Sequence, residues 1–559
     1  MKKPPQDILE VIENNKANYS HLPPNYKIID GTLYYIYKKE YVDKETIEKS
    51  SIEEKRIVTT TPPFIDVSYR DIETGEVSYL LQFHDGYRHV KKPVKAEQIT
   101  QRNELRTLAN IGLDVDDETV KNLLKFLTTY RRTNKPEQKS IASRLGHISG
   151  YFIHPLIDSG VDLVVHEAGY KELVDAFKSK GSIKGYSDTV FNEVKDSPMT
   201  MMFIYASLGS ILLHDFNIEP FIVDMASKSS TGKTTALKVA ASVWGNENII
   251  NEWNATKNSV ERKAGLLNSL PLLLDDTRKA NQYALSDIVY QFTGGRGKGR
   301  ANIKSIEAER TWQNILLSTG ETSIVEYGNE KAGISARCIT LQDKALNNNI
   351  DLRALYSGLE SNYGCLGLSF VNQYNEHKKA YKETFRGHEQ LYISKAGDNE
   401  VMQRLGRAFA LLQTAGEILN DIKGFEHDMF SIVNTAYTSM FQTNKSIDKP
   451  KQLLEELLEE LDANRNSIAG GGYGEVFNTE VKAIYHNDYL CVLSNTVKKF
   501  LGNELRSITK EWADRDYLIV GSSERIVKQV KANSSLYRGY ALKHDVIEEL
   551  GLNFRKDKN

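Results

Sequence analysis

The stretch FIVDMASKSSTGKTTALKVAASV, residues 221–243, decides the fold of this chain. Its apolar start predicts a short buried strand, and a helical pattern begins at GKT, residues 232–234, after a loop of small and hydroxylated side chains. Strand, loop and helix in this order are typical of a phosphate-binding loop, whose backbone N–H groups surround phosphate oxygens. The stretch therefore predicts a nucleoside triphosphate site. One residue departs from the pattern GxxxxGK[ST], because Ser227 stands where the pattern begins with glycine.

The residues of this loop have distinct chemical tasks. Lys233 is expected to reach the β and γ phosphates, and the hydroxyl of Thr234 is expected to hold Mg²⁺, so ATP and Mg²⁺ are the predicted cofactors. A side chain at Ser227 should narrow the entry turn, but we expect the turn to tolerate it because the phosphate contacts come mainly from later N–H groups. The predicted nucleotide-binding residues are Ser229, Ser230, Thr231, Gly232, Lys233, Thr234 and Thr235.

Length and composition limit the possible classes of protein. At about 150 residues per domain, 559 residues should form three or four domains. A net charge of −2 excludes a chain that is basic throughout, so nucleic-acid binding would need local basic patches. Three cysteines without metal-ligand spacing and an N-terminus without a secretory signal favour the cytoplasm. The most apolar run, residues 199–213, is shorter than the roughly 20 residues of a spanning helix, so we expect a buried core helix and no membrane.

The pattern of apolar residues divides the chain into regions. Residues 26–94 are strand-rich, with a hairpin around Thr74-Gly75, and the pattern becomes helical from about residue 96. Two short strands are expected in SRLGHISGYFIHP, and residues 221–342 alternate strands with helices, which favours a mainly parallel sheet. Residues 347–465 are almost all helical, and a Gly-rich linker follows. The remaining region predicts helices and then three strands, YLIVG, RIVKQVKA and YRGYALK, an order that suits a winged helix.

Two adjacent carboxylates follow an apolar strand in LPLLLDDT. Asp275 is suited to hold Mg²⁺, and Asp276 is suited to accept a proton from an attacking water. A turn or a helix N-cap is the alternative for such a pair. The position of the pair, about forty residues after Lys233 in a strand–helix segment, favours the catalytic interpretation.

The next apolar strand ends in Ser318-Thr319-Gly320-Glu321. A polar side chain at this strand tip can contact the γ-phosphate or the attacking water, and both Ser318 and Thr319 are candidates. A serine that simply ends a strand explains the pattern equally well.

A basic glycine-rich loop, QFTGGRGKGRANIKS, precedes that strand. It has no acidic residue from Val289 to Ile306, and glycines between cations allow close approach to a phosphate backbone. DNA contact is favoured over a solvated surface loop. The cations are Arg296, Lys298, Arg300 and Lys304.

With these residues identified, the chain resembles the AAA+ replicative helicases of staphylococcal cassette chromosomes and related mobile islands, which are related to the MCM helicases. The matching stretches are SKSSTGKTTALKVAASVWG, NEWNATKNSVERKAGLLNSLPLLLDD, FTGGRGKGRANIK, LLSTGE and GISARC. Similarity extends more loosely to TPPFIDVSYRDIETGEVSYLL and the C-terminal region. The implied fold class is a multidomain α/β protein with an AAA+ P-loop NTPase core, an N-terminal α+β domain, a helical region and a C-terminal winged helix.

The resemblance also implies a function, an ATP-driven DNA helicase that acts as a hexameric ring on single-stranded DNA during replication of a mobile element. It assigns Ser318 as the sensor and Arg337 as a finger that enters a neighbouring subunit's site. A structural role is the alternative for Arg337, which lies just before an apolar strand. Self-loading at the origin and contacts with other replication proteins of the element stay open. The implied domains are an N-terminal β-containing domain at 1–95, a mixed connecting domain at 96–195, the ATPase core at 196–345, a helical subdomain with a linker helix at 346–468 and the winged helix at 469–559.

Cations recur through the proposed wing, among them Arg525 and Lys528, and winged helices commonly contact duplex DNA through a helix and the wing. A packing or regulatory module is the alternative for this domain.

For the whole chain, the alternative to a helicase is an ATP-switched DNA-binding assembly factor that does not unwind DNA processively. A small-molecule phosphotransferase is disfavoured by Arg337 and the basic loop.

Overall fold

The protein is represented by a computed structural model. The residues that it describes are 22–42, 49–165, 167–228, 231–298, 300–302, 305–307, 309–328, 333–397, 400–443, 448–473, 480–521, 525–532 and 535–555.

In the described residues, the N-terminal region is built from a three-stranded sheet, a five-stranded sheet, a two-stranded sheet and a short series of helices. The strands are β1 (Tyr26–Ile29), β2 (Thr32–Val42), β3 (Lys49–Thr59), β4 (Phe64–Asp71), β5 (Val77–His84), β6 (His89–Lys95), β7 (Glu137–Ala142), β8 (Gly146–Ile148), β9 (Tyr151–Ile153) and β10 (Asp162–Leu163). Helices α1 (Arg102–Arg106) and α2 (Val120–Asn134) lie between β6 and β7. The hairpin around Thr74-Gly75 is confirmed, because β4 pairs antiparallel with β5. The two short strands in SRLGHISGYFIHP are confirmed as β8 and β9. One hydrophobic core joins the early strands to α2, from Tyr26 through Tyr130.

A five-stranded parallel sheet forms the centre of the molecule. Its strands are β11 (Phe221–Ala226), β12 (Asn251–Glu252), β13 (Leu272–Asp275), β16 (Ile315–Gly320) and β17 (Cys338–Leu341), and their order is β12-β13-β16-β11-β17. All four pairings between neighbours are parallel. The parallel sheet predicted for residues 221–342 is confirmed. Since the strands are parallel, the segments that follow β11, β13 and β16 meet at one edge of the sheet.

Helices cover the sheet and continue beyond it. Those around the sheet and before it are α3 (Ala168–Asp175), α4 (Ile183–Tyr186), α5 (Asn192–Val194), α6 (Pro198–Gly209), α7 (Leu213–Phe216), α8 (Lys233–Ser242), α9 (Lys257–Leu267) and α10 (Gln282–Thr293). Those that follow are α11 (Leu352–Ser361), α12 (Cys365–Ala396), α13 (Glu400–Asn420), α14 (Met429–Thr443) and α15 (Lys449–Ala463). The segment Pro198–Phe216 is long and apolar enough to span a membrane, but 89% of its window is buried inside the protein. It is therefore the core helix that the sequence predicts.

A small hairpin interrupts the central region between α10 and β16. Its strands β14 (Arg300–Asn302) and β15 (Ser305–Glu307) pair antiparallel with each other. The basic glycine-rich loop therefore belongs to a β-ribbon that is inserted ahead of a central strand.

The C-terminal region is a five-stranded sheet with three helices. Its elements are β18 (Ile468–Ala469), β19 (Ala483–His486), β20 (Tyr489–Leu493), α16 (Ser494–Leu501), α17 (Leu505–Asp514), β21 (Val527–Ala532), β22 (Ser535–Lys543) and α18 (His544–Glu549). The predicted strand YLIVG was wrong, because this segment contributes only an isolated bridge between Leu518 and Leu542. β21 pairs with residues 535–540 of β22 along the same edge. Only the last residues of β22 therefore remain for pairing with the YLIVG segment.

Candidate functional site

The loop after β11 and the start of α8 form the first part of the site. Nζ of Lys233 donates to the carbonyl oxygens of Ser227 and Lys228, at 2.6 and 2.8 Å. Burial lowers the pKa of Lys233, whereas the neighbouring carboxylates, Glu321 first among them, oppose that effect. Gly232 has a φ of 90°, and a Cβ there would lie 2.7 Å from the side chain of Leu346, so the turn requires glycine.

The residue that departs from the phosphate-loop pattern is part of the loop's own bonding. The hydroxyls of Ser227 and Thr231 are 2.7 Å apart, so the entry turn accommodates the serine and uses it. The predicted contact residues Ser229 and Ser230 lie outside the described residues.

Three side chains meet where β11, β13 and β16 end. The hydroxyl of Thr234 lies 3.4 and 3.3 Å from the two carboxylate oxygens of Asp275. The hydroxyl of Thr319 donates a short hydrogen bond to Asp275 and accepts one from the backbone N–H of Asp276, at 3.3 Å. A hydroxyl and a carboxylate placed in this way offer the hard oxygen ligands that Mg²⁺ prefers. Within the described residues there is no cluster of three or more acidic, histidine or cysteine ligands.

Asp276 turns away from the strand direction and is held by an arginine. Its φ of 64° is left-handed. Both carboxylate oxygens accept from the guanidinium of Arg278: Nε donates to Oδ1 at 3.0 Å, and Nη2 donates to Oδ2 at 3.3 Å. The same guanidinium donates to Glu321 at 2.9 Å. The hydrogen bond from Arg278 lowers the pKa of Asp276, so in this geometry the carboxylate is ionised but a weakened base.

Ser318 and Thr319 face opposite sides of β16. The Ser318 hydroxyl accepts a 3.0 Å hydrogen bond from the indole of Trp253, and both side chains are fully buried. Ser318 also lies level with Asp224 of β11, whose pKa is raised to about 6 by burial. The structure therefore brings Thr319, and not Ser318, to Asp275.

Arg337 lies at the amino ends of the parallel strands, opposite the carboxyl ends where Thr234, Asp275 and Thr319 meet. It immediately precedes β17, in which Cys338 is level with Ile222 near the start of β11. At about 3.3 Å per residue, this puts Arg337 roughly 16 Å along the strand direction from the end of β11. Its guanidinium donates to the Gly333 carbonyl at 2.8 Å and lies 5.4 Å from the ring centre of Tyr290. Arg337 is thus remote from the phosphate loop of its own chain.

Three of the four predicted DNA-contacting cations of the core lie in described residues, at the start of the inserted ribbon or just before it. Arg296 forms an isolated bridge with Thr311 and, like Lys298, is exposed. Arg300 begins β14, and Lys304 lies outside the described residues. A further arginine supports the base of the ribbon, because Arg144 makes a short hydrogen bond to the Thr311 carbonyl.

The two cations predicted for the C-terminal region lie at or next to β21. Arg525 is exposed, whereas Lys528 is half-buried with its Nζ 4.3 Å from the ring centre of Tyr489. Arg525 is therefore the more accessible of the two.

Sequence reasoning missed two residues of the site, Arg278 and Glu321, and it also missed Trp253, which binds Ser318 on the other side of β16. Arg278 lies two residues after Asp276, and this spacing in DDTR was a usable signal for the ion pair. Trp253 carried no signal, because its partner Ser318 is 65 residues away.

Comparisons with known proteins place this arrangement among related folds. Residues 33–311, slightly less than half of the chain, match the family described as "Domain of unknown function (DUF927)". No curated protein matches the chain. Among solved structures, it is similar to "SCCmec type IV Cch - active helicase", with a TM-score of 0.70, 16% identity, and coverage of 94% of this chain and 99% of that chain. The second similarity, to "The A form apo structure of NrS-1 C terminal region-CTR", has a TM-score of 0.32 and 9% identity over 85% of this chain and 96% of that chain, too low to support any argument.

The chain is thus a mixed α/β multidomain protein that shares the overall fold of a helicase structure. At this identity the likeness concerns the fold alone.

Proposed function

We propose that the chain is an AAA+ ATP hydrolase that works as a DNA helicase in the replication of a mobile genetic element. The observation that carries this proposal is the meeting of Lys233, Thr234, Asp275 and Thr319 at the carboxyl ends of the strands of a parallel sheet, together with a basic ribbon inserted ahead of the central strand β16. The first group suits phosphoryl chemistry, and the second suits a phosphate backbone. The similarity to the fold of a helicase structure supports the same function.

The residues divide the work of hydrolysis. Lys233 reaches the β and γ phosphates, and the N–H groups at the start of α8 bind the α and β phosphates. Thr234 and Asp275 would hold Mg²⁺, which neutralises charge as the phosphoryl group transfers. Asp276 is assigned to accept a proton from the attacking water, a role that requires its ion pair with Arg278 to open. Thr319 orients Asp275 and Asp276, because its hydroxyl bonds to the carboxylate of one and the N–H of the other.

Completion of the site by a second subunit follows from the position of Arg337. An arginine at the opposite edge of the sheet from its own phosphate loop is suited to enter the site of a neighbouring copy. We therefore propose a closed ring, with six copies by the resemblance noted above, in which single-stranded DNA contacts the inserted ribbons. Under this proposal the domain boundaries inferred from the sequence apply, with the winged helix contacting duplex DNA.

The test is a forked-DNA unwinding assay combined with DNA-stimulated ATP hydrolysis. The wild type should hydrolyse ATP faster with single-stranded DNA and separate the fork, and Lys233→Ala should abolish both activities. Lys279→Ala is the matched control, because Lys279 is also near the site but forms only an exposed ion pair with Glu252. Wild-type protein that binds the fork in an ATP-dependent manner and never separates it would instead establish the alternative, an ATP-switched assembly factor.

A further inference from the structure

One face of α11 is exposed beside the phosphate loop. Leu352 and Tyr356 have 48% and 39% of their surface exposed, although both are large hydrophobic residues. Residues four apart on a helix lie on the same face, so the two side chains form a continuous apolar strip. Scattered exposed apolar residues are common, and the position of this strip in the fold is what distinguishes it.

The strip lies at the start of α8. The hydroxyl of Tyr356 is 2.7 Å from the hydroxyl of Thr235, the residue immediately after the proposed magnesium ligand Thr234. Ten residues earlier, Leu346 packs against the turn at Gly232. The segment from Leu346 to Tyr356 therefore runs along one side of the phosphate loop.

The Tyr356 ring is fixed in place. Besides the bond to Thr235, Nζ of Lys238 lies 5.6 Å from the ring centre, and Lys238 is itself paired with Glu247 at 2.8 Å. These contacts hold the ring in one orientation before any ligand binds. The ring therefore loses little conformational freedom when a ligand stacks on it.

The geometry points to a nucleobase platform: we propose that Tyr356, with Leu352, binds the base of the nucleotide whose phosphates the loop holds. This inference rests on the proposed function. The N–H groups at the beginning of a phosphate-loop helix bind the α and β phosphates, so the nucleoside emerges next to the residues that flank them. Because the Tyr356 hydroxyl is already used by Thr235, the ring offers its face and not a hydrogen bond to the edge of the base.

Direct binding measurements with two ligands test the platform. Isothermal titration calorimetry with Mg²⁺ would compare ATP with inorganic tripolyphosphate, which has the phosphates but no base. Tyr356→Ala should weaken ATP binding by about 5- to 150-fold, the range expected for loss of one aromatic stack, and leave tripolyphosphate binding unchanged. Tyr356→Phe keeps the ring and should bind both ligands as the wild type does.

Two controls separate the possible failures. Lys233→Ala should weaken both ligands, and Leu391→Ala, an equally exposed residue of α12, should affect neither. The inference is overturned if Tyr356→Ala binds ATP as well as the wild type does, or if it weakens both ligands equally, which would mean that Tyr356 only shapes the loop. Wild-type protein that binds neither ligand would overturn the proposed function itself.

Discussion

Replacement of Thr319 by valine separates the two candidates at the tip of β16. Valine keeps the branched shape but removes the hydroxyl that donates to Asp275 and accepts from the N–H of Asp276. Ser318→Ala removes instead a buried hydroxyl that accepts from Trp253. The first change therefore affects the orientation of the reacting carboxylates, and the second affects the packing of the sheet.

The magnitudes follow from the partners of each hydroxyl. A hydrogen bond to a charged group contributes about 1.5–3 kcal/mol, so Thr319→Val should lower the rate of ATP hydrolysis roughly 10- to 150-fold. Ser318→Ala leaves the indole N–H of Trp253 buried without its acceptor, which costs about 1–3 kcal/mol of folding stability. It should leave turnover close to that of the wild type.

Steady-state ATP hydrolysis and denaturant unfolding, measured on the same preparations, check both values. Thr319→Val should lower kcat with nearly unchanged KM, because ATP binding depends on the phosphate loop. A correctly folded Ser318→Ala that loses turnover, beside a Thr319→Val that retains it, would refute the assignment of Thr319 to the site.

Three further predictions concern the sheet, the turn and the ribbon. The pKa of Asp224 is raised to about 6, so its ionisation destabilises the fold, and about 3 kcal/mol of stability should be lost as pH rises from about 4 to about 7. Asp224→Asn should lack that loss, and equal pH profiles of denaturant unfolding for the two proteins would contradict this. In Gly320→Ala, the new Cβ would lie 1.9 Å from the Thr277 hydroxyl, so ATP hydrolysis should fall by about 100-fold, measured against unchanged ATP binding. Charge reversal at Lys298 and Arg300 should weaken DNA-stimulated hydrolysis with ATP affinity intact, and a parallel loss of ATP binding would mean that the ribbon shapes the nucleotide site.

Local patterns in the sequence were sufficient to predict the loop between β11 and α8 and the strand that ends at Asp275. Lys233 and Thr234 begin α8 after a short loop, residues 227–232, that follows β11, so the strand, the loop and the helix were predictable from neighbouring residues alone. The parallel sheet was predictable because strands alternate with helices over residues 221–342. The YLIVG strand failed for the opposite reason, since its apolar pattern could not show that β21 takes most of the same edge of β22.

Tertiary structure decided which side chains face one another. Alternation along β16 implies that Ser318 and Thr319 point to opposite sides, but only the packing of Trp253 against one side shows which of them reaches Asp275. Tyr356 reaches Thr235 across 121 residues of sequence, and the remoteness of Arg337 from its own loop depends on the register of parallel strands. The sequence by itself determined the strand, loop and helix around Lys233, because that local structure depends on neighbouring residues. The composition of the complete site depended on long-range pairings that a linear pattern does not encode.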